Sequence, residues 1–397
     1  MQRNPGQRTI ESELEDALHK AGLISKQNYG DPSRVHWSRA SRTDKGVSAV
    51  GQVVSLKMQM AYGEDEAGLE ATKEAINKFL PPQVRVMGVR RTVAGFSAKN
   101  HCDRRKYEYV LPLFAFNPNA CAKRSHEERK AAFEAAQAAA KEGAQVGAQA
   151  SEAGAQGASA DGAASADSFA QKVLAVRELD TAGGWCWSDE VKHRMEETLQ
   201  EFKGTHNFHN YAARVRFEDK NAKRYMVSFE VSDPFEVDGV QLVRTTIIGQ
   251  SFMLNQIRKM MGAALAAARG AAYPGYVREA LRASRHVATP LAPEVGLFLH
   301  ECIFKAYNDR WAGHVANKAL TMDEFSDETE AFKRKFLYPH MVRDECNEGT
   351  VAAFVRSLNP GNFVCFAKPD ERPKGWDKAP SRNEERRGGG GGGRGRH

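Results

Sequence analysis

Arg39-Ala40-Ser41-Arg42-Thr43-Asp44-Lys45-Gly46-Val47-Ser48-Ala49-Val50-Gly51-Gln52-Val53-Val54 sets one carboxylate between two cations, follows it with a glycine, and runs on into an apolar, β-prone stretch that reaches Leu56. Small polar residues, then a glycine, then a β-prone run describe a tight loop leading into a sheet. Arg42 and Lys45 favour the ionised form of Asp44. Taken alone, Asp-Lys-Gly is ordinary turn chemistry, and local composition favours a surface turn. The rest of the chain changes that weighting.

At 397 residues the chain can bury a sizeable core and hold two or three structural units, or one large domain with additions. Its hydrophobic fraction of 41% fits a globular protein with some unstructured parts. No apolar run approaches the roughly 20 residues that a membrane span needs, and Met1–Pro5 carries no apolar signal-peptide core. The six cysteines are scattered, without a C-x-x-C pair, which argues against a zinc site and a disulfide framework and fits a reducing compartment. Net charge is +7, but residues 371–397 carry +4 of it, leaving +3 for the body. Basic residues in the body gather in short groups, Arg85, Arg90 and Arg91, then Lys99, Arg104, Arg105 and Lys106. Local groups on a modest net charge suit an RNA-facing cleft better than a general polycation; a solvated basic face is the plainer alternative.

Residues 9–23 read as a helix, with Thr9 as N-cap, Glu11 and Glu13 in the first turn, and Gly22 at the exit. A second helix spans 69–80 and stops at Pro81-Pro82. Strands are predicted at 84–92 and 106–113. In the second of these, Arg105, Tyr107 and Tyr109 share one face and Lys106, Glu108 and Val110 the other. Two tyrosines there fit simple β-propensity and equally an Arg/Tyr surface for a nucleobase and its phosphates. Residues 124–142 can form a helix. Residues 141–170 contain 16 Ala or Gly of 30, too little apolar bulk to fold alone, and read as a flexible insertion with order resuming near Trp185. A helix at 189–202 precedes Gly204-Thr205-His206-Asn207-Phe208-His209-Asn210-Tyr211, where His206 and His209 lack a third ligand at metal spacing, so a hydrogen-bonded turn is the better reading. Strands at 225–231 and 240–249 follow.

The helix predicted at 253–269 holds the second clue. Leu254, Met261 and Leu265 recur at helical spacing, and Arg258 falls inside that apolar stripe. A guanidinium in that position needs an anionic partner, because an unpaired buried charge is severely costly; the alternative is an arginine that snorkels to the surface. A loop and strand close the core at 289–304, residues 324–357 read as helical, and Gly388–Gly393 with Arg394-Gly395-Arg396 read as a disordered tail like short Arg/Gly RNA-binding segments.

Five segments, in order, resemble the motifs of the TruA family of tRNA pseudouridine synthases. They are Arg42–Ala49; Phe96-Ser97-Ala98-Lys99 with Arg105–Tyr109; Gly204–Phe208; Ser251–Arg258; and Pro293–Leu299. Together they span about residues 1–308. Asn4–Glu11 and Lys45 resemble the eukaryotic branch of pseudouridine synthase 1, whereas Ser48 stands where that branch would have histidine and is closer to the branch of pseudouridine synthase 3. The resemblance implies an α+β fold, two related α/β halves forming one mixed central sheet with flanking helices and an RNA-binding cleft between them. It implies Asp44 as catalytic carboxylate, attacking the target uridine at the base or at the sugar C1′. Tyr107 would stack on the uracil and assist proton removal, Arg258 would pair with Asp44, and Arg42 would help displace or replace the target base. No cofactor or metal is expected. The implied partner is tRNA, with other structured RNAs as further substrates. The implied compartment is the nucleus, with the mitochondrion as a second site. Family members usually begin with a core strand ending in a Gly-Met/Trp-Gln-like turn. Met1-Gln2 falls in the middle of that turn, so the first core strand is expected to be missing through a truncated gene model.

The expected organisation is an N-terminal catalytic half at 1–120, an Ala/Gly-rich insertion at 121–184, a second half of the core at 185–308, a helical extension at 309–370 and a basic Gly/Arg tail at 371–397. The competing reading from another class is a non-catalytic tRNA-binding or folding protein, or an inactive truncated fragment. It would bind tRNA without isomerising it.

Overall fold

The computed structural model describes residues 8–121, 160–273, 275–313, 318–359 and 363. Its frame is one mixed sheet that takes strands from both halves of the chain. The strands are β2 (Ser48–Ala49), β4 (Arg104–Pro112), β5 (Gly204–Asn207), β6 (Lys223–Val231), β7 (Phe235–Val237), β8 (Val240–Gly249) and β9 (Leu297–Ile303). They are ordered β2-β9-β4-β8-β6-β5, with β7 added to β8. The β2–β9 pair is parallel and the remainder antiparallel. Strand β4 therefore lies inside the sheet, between β8 and β9. Its neighbours meet through Val243, Ile247, Phe298 and Leu299, all buried.

The helix Gln256–Ala268 supplies much of the core. Met260, Met261, Ala263, Ala264 and Leu265 are fully buried, and the helix packs against the helix Asp189–Gln200. Small side chains allow close packing: a Cβ on Gly262 would lie 2.3 Å from the Pro290 carbonyl oxygen. A smaller, separate core joins the first helix, Ile10–Lys20, to the helix Glu66–Asn77 through Ala17, Leu18, Ala75 and Ile76. Thr9 and Ser12 close a reciprocal capping box at the first helix, and Asp65 caps the second. An apolar cleft of about 330 Å³ lies between this satellite and the sheet, lined by Leu14, Val54, Val86, Phe304 and Phe325 among others.

Several expectations from the sequence need correction. The β-prone run 47–56 does not form one strand. It enters the large sheet only at β2, then joins a separate two-stranded sheet in which β3 (Val54–Ser55) pairs with β1 (Ser38–Arg39). The break falls at Gly51, where a Cβ would sit 2.1 Å from the His300 carbonyl oxygen. Strand β9 carries one extra residue at that point, because Lys106 pairs with Glu301 but Tyr107 pairs with Leu299. The stretch 84–92 has strand-like alternation but enters no ladder among the described residues. Side chains take its backbone groups instead: Asn77 both donates to the Val86 carbonyl and accepts from its N–H, each at 2.9 Å. The Ala/Gly-rich stretch also gives way earlier than predicted, to a helix at Ala160–Asp180 whose Val173 and Val176 join the main core. The readings for 124–142, for 371–397 and for the turn at Met1-Gln2 lie outside the described residues.

The helical reading of 324–357 holds in the helices Ser326–Phe332, Tyr338–Glu348 and Thr350–Ser357, the first two joined by a π-helical turn, Lys333–Leu337. That turn carries Lys333 to the buried Glu108 of β4, with Nζ 3.1 and 3.2 Å from the two carboxylate oxygens. Both side chains are almost completely buried, at 3% and 4% exposure. His300 Nδ1 lies 3.1 Å from the same carboxylate. Burial first, then the Lys333 charge, pushes the His300 pKa down to about 3, so the ring stays neutral at ordinary pH. The ammonium is thus the principal buried counter-ion of Glu108. Replacing Lys333 by Met should cost about 3–5 kcal/mol of stability by stranding a buried carboxylate. Adding Glu108→Gln should recover most of that loss in urea denaturation; equal stability of the single and double variants would refute the pairing.

Candidate active site

The predicted loop forms a turn, with the Val47 N–H donating to the Asp44 carbonyl at 3.1 Å. Gly46 adopts φ +81°, a conformation that a side chain disfavours. Space adds a second reason for glycine, since a Cβ would lie 2.7 Å from Glu294 Cγ. The loop forms one wall of a cavity of about 630 Å³. Asp44, Arg42 and Tyr107 line it together, along with Ser41, Arg105 and the segment Ser251–Ile257. Three of the four site residues named from sequence therefore meet in one cavity. Arg258 is not among the residues lining it.

Asp44 is half-buried. Its Oδ2 accepts a long hydrogen bond, 3.4 Å, from the N–H of Asn255. Asn255 is the residue before the helix Gln256–Ala268 and has φ +63°, in the left-handed region that Asn tolerates better than most residues. The carboxylate consequently faces the positive end of a largely buried helix, where amide dipoles favour an anion. The expected Arg258–Asp44 pair is absent. Arg258 Nη2 instead meets Glu294 at 2.8 Å, and its Nε donates to the Ala292 carbonyl at 2.6 Å. The demand of a guanidinium in an apolar stripe for an anion is met, but the anion comes from the loop before β9. Because Glu294 also packs on Gly46, Arg258 braces the Asp44 turn from behind.

Tyr107 is 6% exposed. Its ring stands edge-on to Phe252, centroids 5.1 Å apart, and its hydroxyl is 3.1 Å from Ser41 Oγ. Burial pushes its pKa up to about 12, partly offset by the Ser41 hydrogen bond. The phenol is accordingly protonated in the free protein and has a proton to donate. Tyr109 does not extend an aromatic platform. It is fully buried, and its hydroxyl donates to the Pro293 carbonyl. Arg105 is a strut: Nη1 donates to the Gln250 carbonyl and Nη2 to the Ala40 carbonyl, both at 2.7 Å, tying the Asp44 loop to the loop before the buried helix. Arg39 is held by the buried Glu11 at 2.6 Å, which also accepts from Trp37 Nε1 at 3.1 Å. Arg42 and Lys99 stay exposed on the cavity wall, available to phosphate oxygens. His206 and His209 lie apart from this cavity, His206 Nε2 against the Lys203 carbonyl at 2.8 Å and His209 Nδ1 3.2 Å from Asn207 Oδ1.

The profile of the tRNA pseudouridine synthase family matches residues 198–305. The chain is 35% identical to tRNA pseudouridine synthase 1 of Yarrowia lipolytica, over 89% of this chain and 70% of the relative. It is 32% identical to the pseudouridylate synthase 1 homolog of Mus musculus, covering 91% and 71%, and 31% identical to that of Homo sapiens, covering 92% and 71%. This chain belongs to the tRNA pseudouridine synthase family. The profile match takes in Arg258 and Glu294 but not Asp44 or Tyr107, so in this pseudouridine synthase the cavity is shared between the matched half and the half before it.

Sequence reasoning missed Ser41, Asn255 and Glu294. An Asn directly before a helix, a position calling for unusual backbone, was the available signal for Asn255. Glu294, beside Pro293 in a loop distant in sequence from both arginine and glycine, offered none. In this synthase Gly46→Ala should cost about 1–2 kcal/mol from backbone strain alone, and more from the contact with Glu294. A double-mutant cycle with Glu294→Ala, measured by denaturation, should return the steric part and leave the strain. Full additivity would show that the two residues do not touch.

Proposed function

We propose that this chain isomerises uridine to pseudouridine in tRNA, with Asp44 as the reacting carboxylate. The observation that carries the assignment is the position of Asp44. It is a half-buried carboxylate at a helix N-terminus, in the same cavity as the Tyr107 ring, and that cavity, at about 630 Å³, has room for a flipped nucleoside. The reaction is a true isomerisation. The bond from uracil N1 to ribose C1′ breaks, the base turns, a bond from C5 to C1′ forms, the proton on C5 leaves and N1 gains one. Nothing is oxidised or reduced, and no outside group is consumed.

Asp44 serves as nucleophile, either at C1′, where attack by C5 displaces it, or at the base, from which it leaves by elimination after C5 has bonded to C1′. The Asn255 amide holds the carboxylate aimed without blocking its second oxygen. Tyr107 presents its ring to the uracil and, in its protonated state, a donor to a uracil oxygen. Loss of the C5 proton to Tyr107 would require the phenolate, which a pKa of about 12 disfavours before substrate binds. Arg42 and Lys99 meet the backbone phosphates flanking the flipped nucleotide. Arg258, through Glu294, keeps the Asp44 turn in register rather than contacting substrate. Other structured RNAs that can deliver a flipped uridine to the same cavity are further substrates of this reading, and pseudouridine mapping in cells lacking the protein would identify them.

Purified protein incubated with tRNA should form pseudouridine, and Asp44→Ala should abolish it while tRNA binding persists. Tyr107→Leu should lower turnover by about 5- to 150-fold, the range that loss of one base–aromatic stack implies, with Tyr107→Phe less affected. Binding of tRNA without any isomerisation by the wild-type protein would instead favour the non-catalytic reading.

A further inference from the structure

Between strand β1 and Asp44, one side chain takes both backbone groups of Ser41. The Ser41 N–H donates to Gln52 Oε1 at 3.1 Å, and its carbonyl accepts from Gln52 Nε2 at 2.9 Å. The antiparallel register of β1 with β3 pairs Arg39 with Val54, so continuing it by two residues sets Ser41 opposite Gln52. The Gln52 amide stands in there for a rung of the backbone ladder. Ala40, just before, is held as firmly: its N–H donates to the Val53 carbonyl at 2.9 Å, and Arg105 takes its carbonyl. A peptide fixed in this way aims its side chain, and Ser41 Oγ meets the Tyr107 hydroxyl at 3.1 Å. Both residues line the Asp44 cavity and both are buried.

Two hydroxyls carry two protons, and only one proton can lie in the bond between them. Among the described residues neither hydroxyl makes another hydrogen bond, and Asp44 accepts from neither. One O–H of the pair is therefore left for an acceptor that enters the cavity. Uracil brings carbonyl oxygens, and these gain charge as the reaction starts. Cleavage of the N1–C1′ bond leaves its electron pair on the base, and attack on the base likewise pushes electrons onto a carbonyl oxygen. A donor aimed there stabilises the transition state more than the ground state. We propose that Ser41 is a positioning residue whose hydroxyl donates to the phenol oxygen of Tyr107 and so turns the phenol proton toward a uracil oxygen. The inference rests on the functional reading above. The phenol is the more acidic of the two hydroxyls, so this order gives the developing charge the stronger donor. Accepting from Ser41 strengthens that donor further, because linked hydrogen bonds polarise one another.

Single-turnover pseudouridine formation at saturating enzyme, on a tRNA transcript whose target uridine has been mapped, separates the chemical step from binding. Ser41→Ala should slow that step by about 3- to 10-fold, the worth of one hydrogen bond, and leave the Kd for the transcript within about twofold. Tyr107→Phe, which keeps the ring, should lose a comparable amount. Adding Ser41→Ala to Tyr107→Phe should then cost less than about twofold more, because no phenol proton is left to orient. A serine effect of full size in the phenylalanine background would mean that Ser41 only shapes the loop, and would overturn the proposal; so would an unchanged rate for Ser41→Ala alone. The pH profile supplies a second check. A phenol that donates should give a wild-type rate varying by less than about twofold between pH 6.5 and 8.5. A rise of about tenfold per pH unit over that range would assign the phenolate as the working form and refute the donor role. Absence of pseudouridine with the wild-type protein would instead sink the functional reading on which the inference stands.

Discussion

Strand β4 must serve two opposite faces at once, and the rest of the site follows from that. Successive side chains of a strand point to opposite sides, so Tyr107 and Glu108 cannot share an environment. Tyr107 looks into the cavity beside Asp44; Glu108 looks away, into a buried ionic cluster with Lys333. Neighbours on both edges, β8 and β9, hold the strand in its plane. A one-residue slip would put a carboxylate in the cavity and a tyrosine against an ammonium. The buried Glu108–Lys333 pair makes that slip expensive, because each charge would lose its counter-ion in a water-poor interior. The C-terminal helices, remote from the cavity in sequence, thereby fix the register of the strand that builds it.

Charge around Asp44 is arranged less directly than a carboxylate–guanidinium pair would be. A bidentate arginine would occupy both carboxylate oxygens. A backbone amide at a helix end takes one only, at a long 3.4 Å. The arginine that could have competed is engaged by Glu294 and by a carbonyl. This division lets the guanidinium do structural work, bracing Gly46, while Asp44 stays out of an ion pair.

Much of this was legible in the residues, and the parts that were not have a common cause. Turn chemistry gave Asp44-Lys45-Gly46 its conformation, and period-2 alternation put Arg105 and Tyr107 on one face. Helical spacing marked Arg258 as buried and in need of an anion. Each of those readings depends on neighbours within a few positions. Which anion answers Arg258 depends on how the loop before β9 meets the loop before β2, and no local pattern carries that. The same limit explains Tyr109, placed on the correct face but covered by the Pro293 loop, and 84–92, extended and alternating yet satisfied by the Asn77 side chain instead of a neighbouring strand.

The bulge in β9 joins these threads. One extra residue, His300, is accommodated between the pairings of Lys106 and Tyr107. Its carbonyl comes so close to Gly51 that only glycine fits, which ends β2 after two residues and turns the chain toward β3. A longer β2 would carry the chain straight along β9 and away from β1, whose following residues, Ala40 to Asp44, form the cavity wall. Arg105 then ties the Ala40 carbonyl to that of Gln250, joining the Asp44 loop to the loop before the buried helix. A strand cut short by one close backbone contact is thus what allows a carboxylate from the first half of the chain to face a helix from the second.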